Sequence, residues 1–345
     1  MNVLNQADHK IKNEVCNEQQ DNIGPPSPLD RKLAGPLNEI RKKMLVPLTP
    51  ELISKSRKRA QLESMTDDDI RKAGAFELEE RIIPGPKGAP DISIVICRPT
   101  VSLGPHPVVY NIHGGGMVAG NNRTAELDGE LKRAEKLQLA VVAVNYRLAP
   151  ENPDPAPVED CYAGLCWLAD NAIEFNIDPE SIIISGNSAG GGLAAGVALL
   201  TRDRGGPRLI GQMLQCPMLD DRCNTVSAKQ MANIGLWDTL SNITGWNALL
   251  GKRRGSETVS YYAAPARASD LSNLPPAFID VGVVESLRDE AVIFASRIWQ
   301  CGGEAELHVW NGAFHSFDQW VPEAIVSQAA DSVRISWMKR LLSKD

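Results

Sequence analysis

Ser181-Ile182-Ile183-Ile184-Ser185-Gly186-Asn187-Ser188-Ala189-Gly190-Gly191-Gly192-Leu193-Ala194-Ala195-Gly196-Val197-Ala198-Leu199-Leu200 changes character within five residues. The isoleucines predict a short β-strand, and the small-residue Ala/Leu pattern from Ala189 onward predicts a helix. Between them, Gly186-Asn187-Ser188-Ala189-Gly190 has the form G-x-S-x-G, a strand-to-helix turn that holds one serine at its apex. Glycine at minus two and plus two suits a place where two backbones pass too close for side chains, and Ser188 at the apex is expected in a strained conformation. Glycine and serine also make ordinary turns, so the reading stands or falls on what the rest of the chain supplies.

Outward from this turn the chain alternates. Strands are expected at 76–83, 92–98, 108–112, 140–145, 181–184, 209–215, 277–281 and 305–310. Helices are expected at 124–137, 158–175, 189–201, 287–300 and 322–342. Alternation of this kind predicts an α/β protein with a mostly parallel sheet covered on both faces and an active site at the carboxyl ends of the strands. One segment, about 218–273, carries no strand signal and reads as an insertion. Residues 1–28 are polar and end in Gly24-Pro25-Pro26-Ser27-Pro28, which predicts a loosely attached arm. From 29 to 75 apolar residues return at helical spacing (Leu33, Leu37, Ile40, Met44), and Thr66-Asp67-Asp68-Asp69 starts a further helix. Helices ahead of the core suggest a lid. The basic run Lys55-Ser56-Arg57-Lys58-Arg59 reads as a solvated helix face rather than a nuclear signal. The division expected is therefore an arm (1–28), a helical cap segment (29–75) and a catalytic domain (76–345) with a cap insertion at about 218–273.

The 345 residues are 43% hydrophobic and carry a formal charge of -7 with pI near 5.4. This balance speaks against nucleic acid or anionic membrane as a partner. No apolar run approaches the roughly 20 residues that span a bilayer, and Met1 to Gln20 lacks an apolar signal core, so a soluble cytoplasmic protein without stable membrane insertion is expected. Seven cysteines (Cys16, Cys97, Cys161, Cys166, Cys216, Cys223, Cys301) are scattered and never form C-x-x-C. They read as reduced thiols, and neither a metal nor a cofactor is implied.

His113-Gly114-Gly115-Gly116-Met117 directly follows a predicted strand. Unhindered backbone N–H groups in such a loop can stabilise a developing oxyanion, and Gly114 and Gly115 with Ala189 are the expected donors. His113 is expected to order the loop. A serine nucleophile needs a base, and five histidines exist. His9 lies in the arm, His106 precedes a strand and His308 sits within one, which leaves His315 in a loop past the last strand. The acid that orients it should follow the preceding strand, where Glu285 is at the loop tip; Asp280 and Asp289 are the rivals. The order Ser188, Glu285, His315 matches that of α/β-hydrolases.

Together, His113-Gly114-Gly115-Gly116, Tyr146-Arg147-Leu148-Ala149-Pro150-Glu151, Gly186-Asn187-Ser188-Ala189-Gly190-Gly191 and Leu287-Arg288-Asp289-Glu290 resemble the hormone-sensitive lipase family of carboxylesterases, from about Ile82 to the C-terminus. The resemblance implies an eight-stranded α/β-hydrolase fold whose N-terminal helices and insertion cap the acyl site. Two departures stand out: Asn187 where the family more often has Asp, and Glu285-Ser286 where it more often has Asp-Pro.

The function expected is a serine carboxylesterase that hydrolyses short- to medium-chain esters of small apolar molecules through an acyl-enzyme. Deacetylase, lactonase or amidase activity would use the same groups, and a catalytically silent receptor is the rival of another class. Met117, Val118, Trp237 and Trp246 are candidate pocket residues, and Arg147 is expected in an ion pair with Asp160 or Glu151. The partner expected is a small-molecule ester, with a homodimer left open.

Overall fold

A computed structural model describes residues 23–343. Most of the expected arm, with His9 and Cys16, lies outside the described residues. In chain order the elements begin with α1 (Arg31–Lys43), α2 (Ile53–Leu62) and α3 (Asp67–Arg71), then β1 (Phe76–Ile83), β2 (Ile92–Pro99) and β3 (His106–Ile112). Next come α4 (Glu126–Leu137), β4 (Ala140–Asn145), α5 (Ala156–Asn171), β5 (Ile177–Asn187), α6 (Ala189–Arg204) and β6 (Leu209–Gln215). The chain closes with α7 (Val226–Gln230), α8 (Thr239–Leu250), β7 (Ala277–Val284), α9 (Arg288–Gln300), β8 (Ala305–Phe314), α10 (Phe317–Trp320) and α11 (Ile325–Leu342).

The strands form one sheet in the order β1-β2-β4-β3-β5-β6-β7-β8. β2 is antiparallel to β1 and β4, and the remaining neighbours are parallel. Side chains alternate between faces along each strand. Tyr110, Ile112, Ile182 and Ile184 enter one core with Leu165 of α5, Leu193 of α6 and Phe294 of α9. Val109, Ile183 and Phe278 enter the other, with Leu131 of α4 and Trp337 of α11. Both faces are therefore covered, which explains why the central strands are nearly continuous Val/Ile runs.

Several elements end differently from the expectation, and each difference bears on the site. β5 runs on to Asn187, so the serine follows its last residue directly. β7 and β8 continue to Val284 and Phe314, beyond their expected ends at 281 and 310. The added length forms a pair, Val284 with Phe314, past an irregularity in the register. The helix expected at 322–342 begins at Ile325 as α11, and a separate short helix, α10, precedes it at Phe317–Trp320.

The N-terminal helices do not act as a unit. Leu33 and Leu37 of α1 pack with Leu236, Phe314, Phe317 and Val321. Arg57 of α2 donates to the carbonyls of Val118 and Ala149, each at 2.6 Å, and pairs with Glu151. Part of the basic run is thus a docking contact and not a solvated face. Ile70 of α3 packs with Phe76, Val95 and Leu127 in the opposite core. Much of the insertion is likewise core: Trp246, Leu249, Val259, Ala264 and Leu271 all join the first cluster. Asp160 takes Arg147 in a bidentate contact of 2.7 and 2.8 Å, while Glu151 belongs to Arg57.

Candidate active site

The elbow is shaped by close backbone approach. A Cβ on Gly190 would stand 2.0 Å from the Ile112 carbonyl oxygen, and one on Gly186 would stand 2.2 Å from that of Gly190. Neither distance admits a side chain. Ser188 is held at φ 56° and ψ -119°, a conformation that costs on the order of 1–3 kcal/mol for a non-glycine residue. Its backbone offsets this with three bonds: its N–H donates to Gln215 O at 2.8 Å, and its carbonyl accepts from Gly192 and Met218. The hydroxyl is thereby aimed out of the turn.

Ser188 Oγ lies 2.9 Å from His315 Nε2, and His315 Nδ1 lies 2.5 Å from Glu285 Oε2. The Val284–Phe314 pair sets this up, because the residues that follow it, Glu285 and His315, leave adjacent strands side by side. The other oxygen of Glu285 accepts the Gly282 N–H at 2.7 Å. The rival acids are engaged elsewhere. Asp280 takes Arg334 and the Trp310 indole, and Asp289 takes Arg288 and the Ser227 N–H.

Burial alone would depress the imidazole of His315, but Cys216 and Glu285, by charge and hydrogen bond, push it well above the ordinary histidine value. Burial also raises the Cys216 thiol, so at neutral pH that sulfur is uncharged and the carboxylate is the effective partner. Cys216, Glu285 and His315 bring one donor atom each within 4.8 Å of one another, the only such trio among the described residues. With Nδ1 and Oε2 bonded directly, these atoms already serve one another as donor and acceptor.

The glycine loop is fixed plane by plane. His113 stacks on Tyr146 at 4.2 Å, and burial lowers its imidazole to about 4, so it is neutral and donates from Nδ1 to Gly114 O at 2.8 Å. Gly115 O accepts from Val118 and Ala119. In a trans peptide the N–H points opposite to the C=O, so the Gly115 and Gly116 amides face away from the loop's own contacts. Among the described residues neither has an acceptor. Gly114 differs: its N–H donates to Glu126 Oε2 at 2.7 Å. Of the expected donor pair, Gly114 is therefore already taken by Glu126, and Gly115 and Gly116 are the loop amides left free. Positive φ at Gly115 (104°) and Gly116 (63°) makes the turn, and a Cβ on Gly116 would strike Trp237 at 2.4 Å.

A cavity of about 310 Å³ opens over Ser188. Its walls include Met44, Leu48, Arg59, Leu236, Trp237 and Trp320, and Trp237 lies over His315 with ring centroids 6.3 Å apart. Of the four candidate pocket residues only Trp237 lines it. Met117, Val118 and Trp246 are instead fully buried in the main core and line no part of the cavity. Sequence reasoning missed Glu126, since a Glu in a first helical turn normally reads as a helix-dipole residue. It also missed the ring in which Ser316 Oγ donates to Asn187 Oδ1 and Asn187 Nδ2 meets Cys216 Sγ.

An eight-stranded sheet of this order, with a serine elbow, a glycine loop and an imidazole at its strand ends, defines the class. The chain belongs to the α/β-hydrolase fold family, whose pattern it matches over residues 108–319, and within that fold to the hormone-sensitive lipase-like carboxylesterases; it is an ester hydrolase. It is 36% identical to carboxylesterase NlhH of Mycobacterium tuberculosis over 271 residues, 77% of this chain and 83% of that one. Among solved structures it is similar to a bacterial heroin esterase (TM-score 0.82, 35% identity, 92% of this chain and 98% of that one). It is also similar to a hyperthermophilic esterase from Pyrobaculum calidifontis (TM-score 0.80, 30% identity, 91% and 99%). No helix among the described residues is long and apolar enough to cross a membrane.

Proposed function

We propose that the chain hydrolyses esters by a serine mechanism, with Ser188 as nucleophile, His315 as general base and then acid, and Glu285 as the group that orients His315. The observation that carries this is the unbroken line Ser188 Oγ, His315 Nε2, His315 Nδ1, Glu285 Oε2, with contacts of 2.9 and 2.5 Å. Ser188 Oγ attacks the ester carbonyl carbon as its proton passes to Nε2, and the carbonyl oxygen becomes an oxyanion. Gly115, Gly116 and Ala189 amides receive that charge, each such donor being worth about 3 kcal/mol in the transition state. Collapse expels the alcohol, which takes the proton from Nε2 and leaves acyl-Ser188. Water activated by His315 then releases the carboxylic acid by the same steps in reverse roles.

Substrates are short- to medium-chain esters of small apolar molecules. The cavity supports this: about 310 Å³ is near the lower end for small-molecule sites, and Met44, Leu48, Leu236 and Trp237 make its walls apolar. The cap in this reading is chiefly 44–63 together with Leu236-Trp237, a smaller set than the full segments 29–75 and 218–273. Hydrolysis of chromogenic esters from acetate to decanoate tests both parts. Turnover should be highest at short to medium acyl length and fall by more than 10³-fold in Ser188→Ala; an active Ser188→Ala enzyme would overturn the nucleophile.

A further inference from the structure

Among the described residues Glu126 is the one carboxylate bound to the glycine loop, and the mechanism above gives it no task. Its Oε2 accepts the Gly114 N–H at 2.7 Å while the Tyr146 hydroxyl donates to the His113 carbonyl at 3.0 Å. These two contacts hold opposite ends of the same peptide plane, the one between His113 and Gly114. The next two planes are held at their carbonyls, the first by the His113 ring with the Tyr146 hydroxyl at 3.5 Å, the second by the Val118 and Ala119 amides. The orientation of the free Gly115 and Gly116 amides thus follows from a plane that Glu126 fixes. The carboxylate also fills the space a side chain at Gly114 would need, since a Cβ there would lie 2.7 Å from Glu126 Oε1 and 3.0 Å from Asn187 O.

Resting on the serine mechanism proposed above, we propose that Glu126 is a positioning residue for ester hydrolysis: it clamps the Gly114 amide so that Gly115 and Gly116 face the oxyanion. Burial raises its carboxyl to about 7, against the Gly114 bond and the His315 charge, which lower it. Facing groups are His315, Asp318 of α10 with its partner Arg334 of α11, and Glu130 and Arg133 on α4 itself. Arg59 and Glu63, from the N-terminal segment, line the same cavity as Glu126. Helix α4 begins at Glu126, so a rigid element carries the carboxylate to the loop.

Glu126→Ala removes both acceptor and charge, whereas Glu126→Gln keeps an acceptor oxygen and removes only the charge. Fluorophosphonate labelling of Ser188 in each variant counts folded, competent sites, so failure of the nucleophile assignment shows separately as a wild-type chain that does not label. Per labelled site, Glu126→Ala should lose at least 10-fold in kcat with KM changed less than threefold, and Glu126→Gln should recover most of that loss. An alanine variant within twofold of wild type in kcat, or a glutamine variant no better than alanine, would each overturn the proposal.

Discussion

Val284 of β7 and Phe314 of β8 are the last residues paired between those strands, and their pairing places Glu285 Oε2 2.5 Å from His315 Nδ1. Glu285 and His315 thus lean on the register of two adjacent parallel strands. Glu285 is itself fixed through Oε1 by the Gly282 amide, so the carboxylate has little freedom to rotate away.

Glu285→Gln should keep the shape of the site but offer His315 Nδ1 an amide. Loss of the proper tautomer and of imidazolium stabilisation is worth about 10⁴-fold in kcat in a serine, histidine, acid arrangement. The carboxylate raises His315, and turnover needs the neutral imidazole, so the wild-type kcat/KM should fall as pH drops through a pKa above the ordinary histidine value. With the charge gone, burial dominates and that acid limb should shift to lower pH. A pH profile of both proteins checks the sign: a limb unmoved in Glu285→Gln would show that another group carries the effect.

The sheet and the elbow were legible because they rest on local signals. Ile182 to Ile184 and the glycines at 186 and 190 are contiguous in sequence, and their burial pattern follows from strand periodicity alone. Glu285 was legible by elimination among acids near one strand end. Gly116 and Glu126 were not, because which amide of a glycine run stays free depends on a carboxylate 12 residues away folding back onto it. The pocket was least legible. An aromatic or thioether side chain looks the same in sequence whether it faces a cavity, as Trp237 does, or the core, as Met117 and Trp246 do.

Trp246 and Trp237 should separate stability from substrate choice. Trp246 is fully buried and its indole N–H has no partner among the described residues. Trp246→Ala should cost about 3–5 kcal/mol of stability through the cavity it leaves. Trp246→Phe, which removes the unpaired N–H, should stay within about 1 kcal/mol of wild type. Trp237→Ala should alter KM and the acyl-length profile with a smaller loss of stability, because this ring is partly exposed to the cavity. Denaturant melts alongside an ester series would show the division, and a changed acyl profile in Trp246→Phe would contradict it.

Arg57 ties the N-terminal helices to the hydrolase body at three acceptors: the carbonyls of Val118 and Ala149 and the carboxylate of Glu151. The Glu151 contact is largely exposed and contributes little, as surface ion pairs do. The two carbonyls lie beneath the guanidinium, and each charge-assisted bond to them is worth about 1.5–3 kcal/mol. Because α2 and its flanks carry Leu48, Ser56 and Ala60 into the cavity wall, Arg57→Ala should loosen that wall while leaving Ser188, His315 and Glu285 in place. KM should rise several-fold with kcat within about twofold, and cleavage by an added protease should appear first between 44 and 63. Arg57→Lys should behave much like alanine, since one ammonium cannot span acceptors arranged for a planar fork. Full rescue by lysine would mean that the charge near Glu151, and not the pair of carbonyl bonds, anchors the cap.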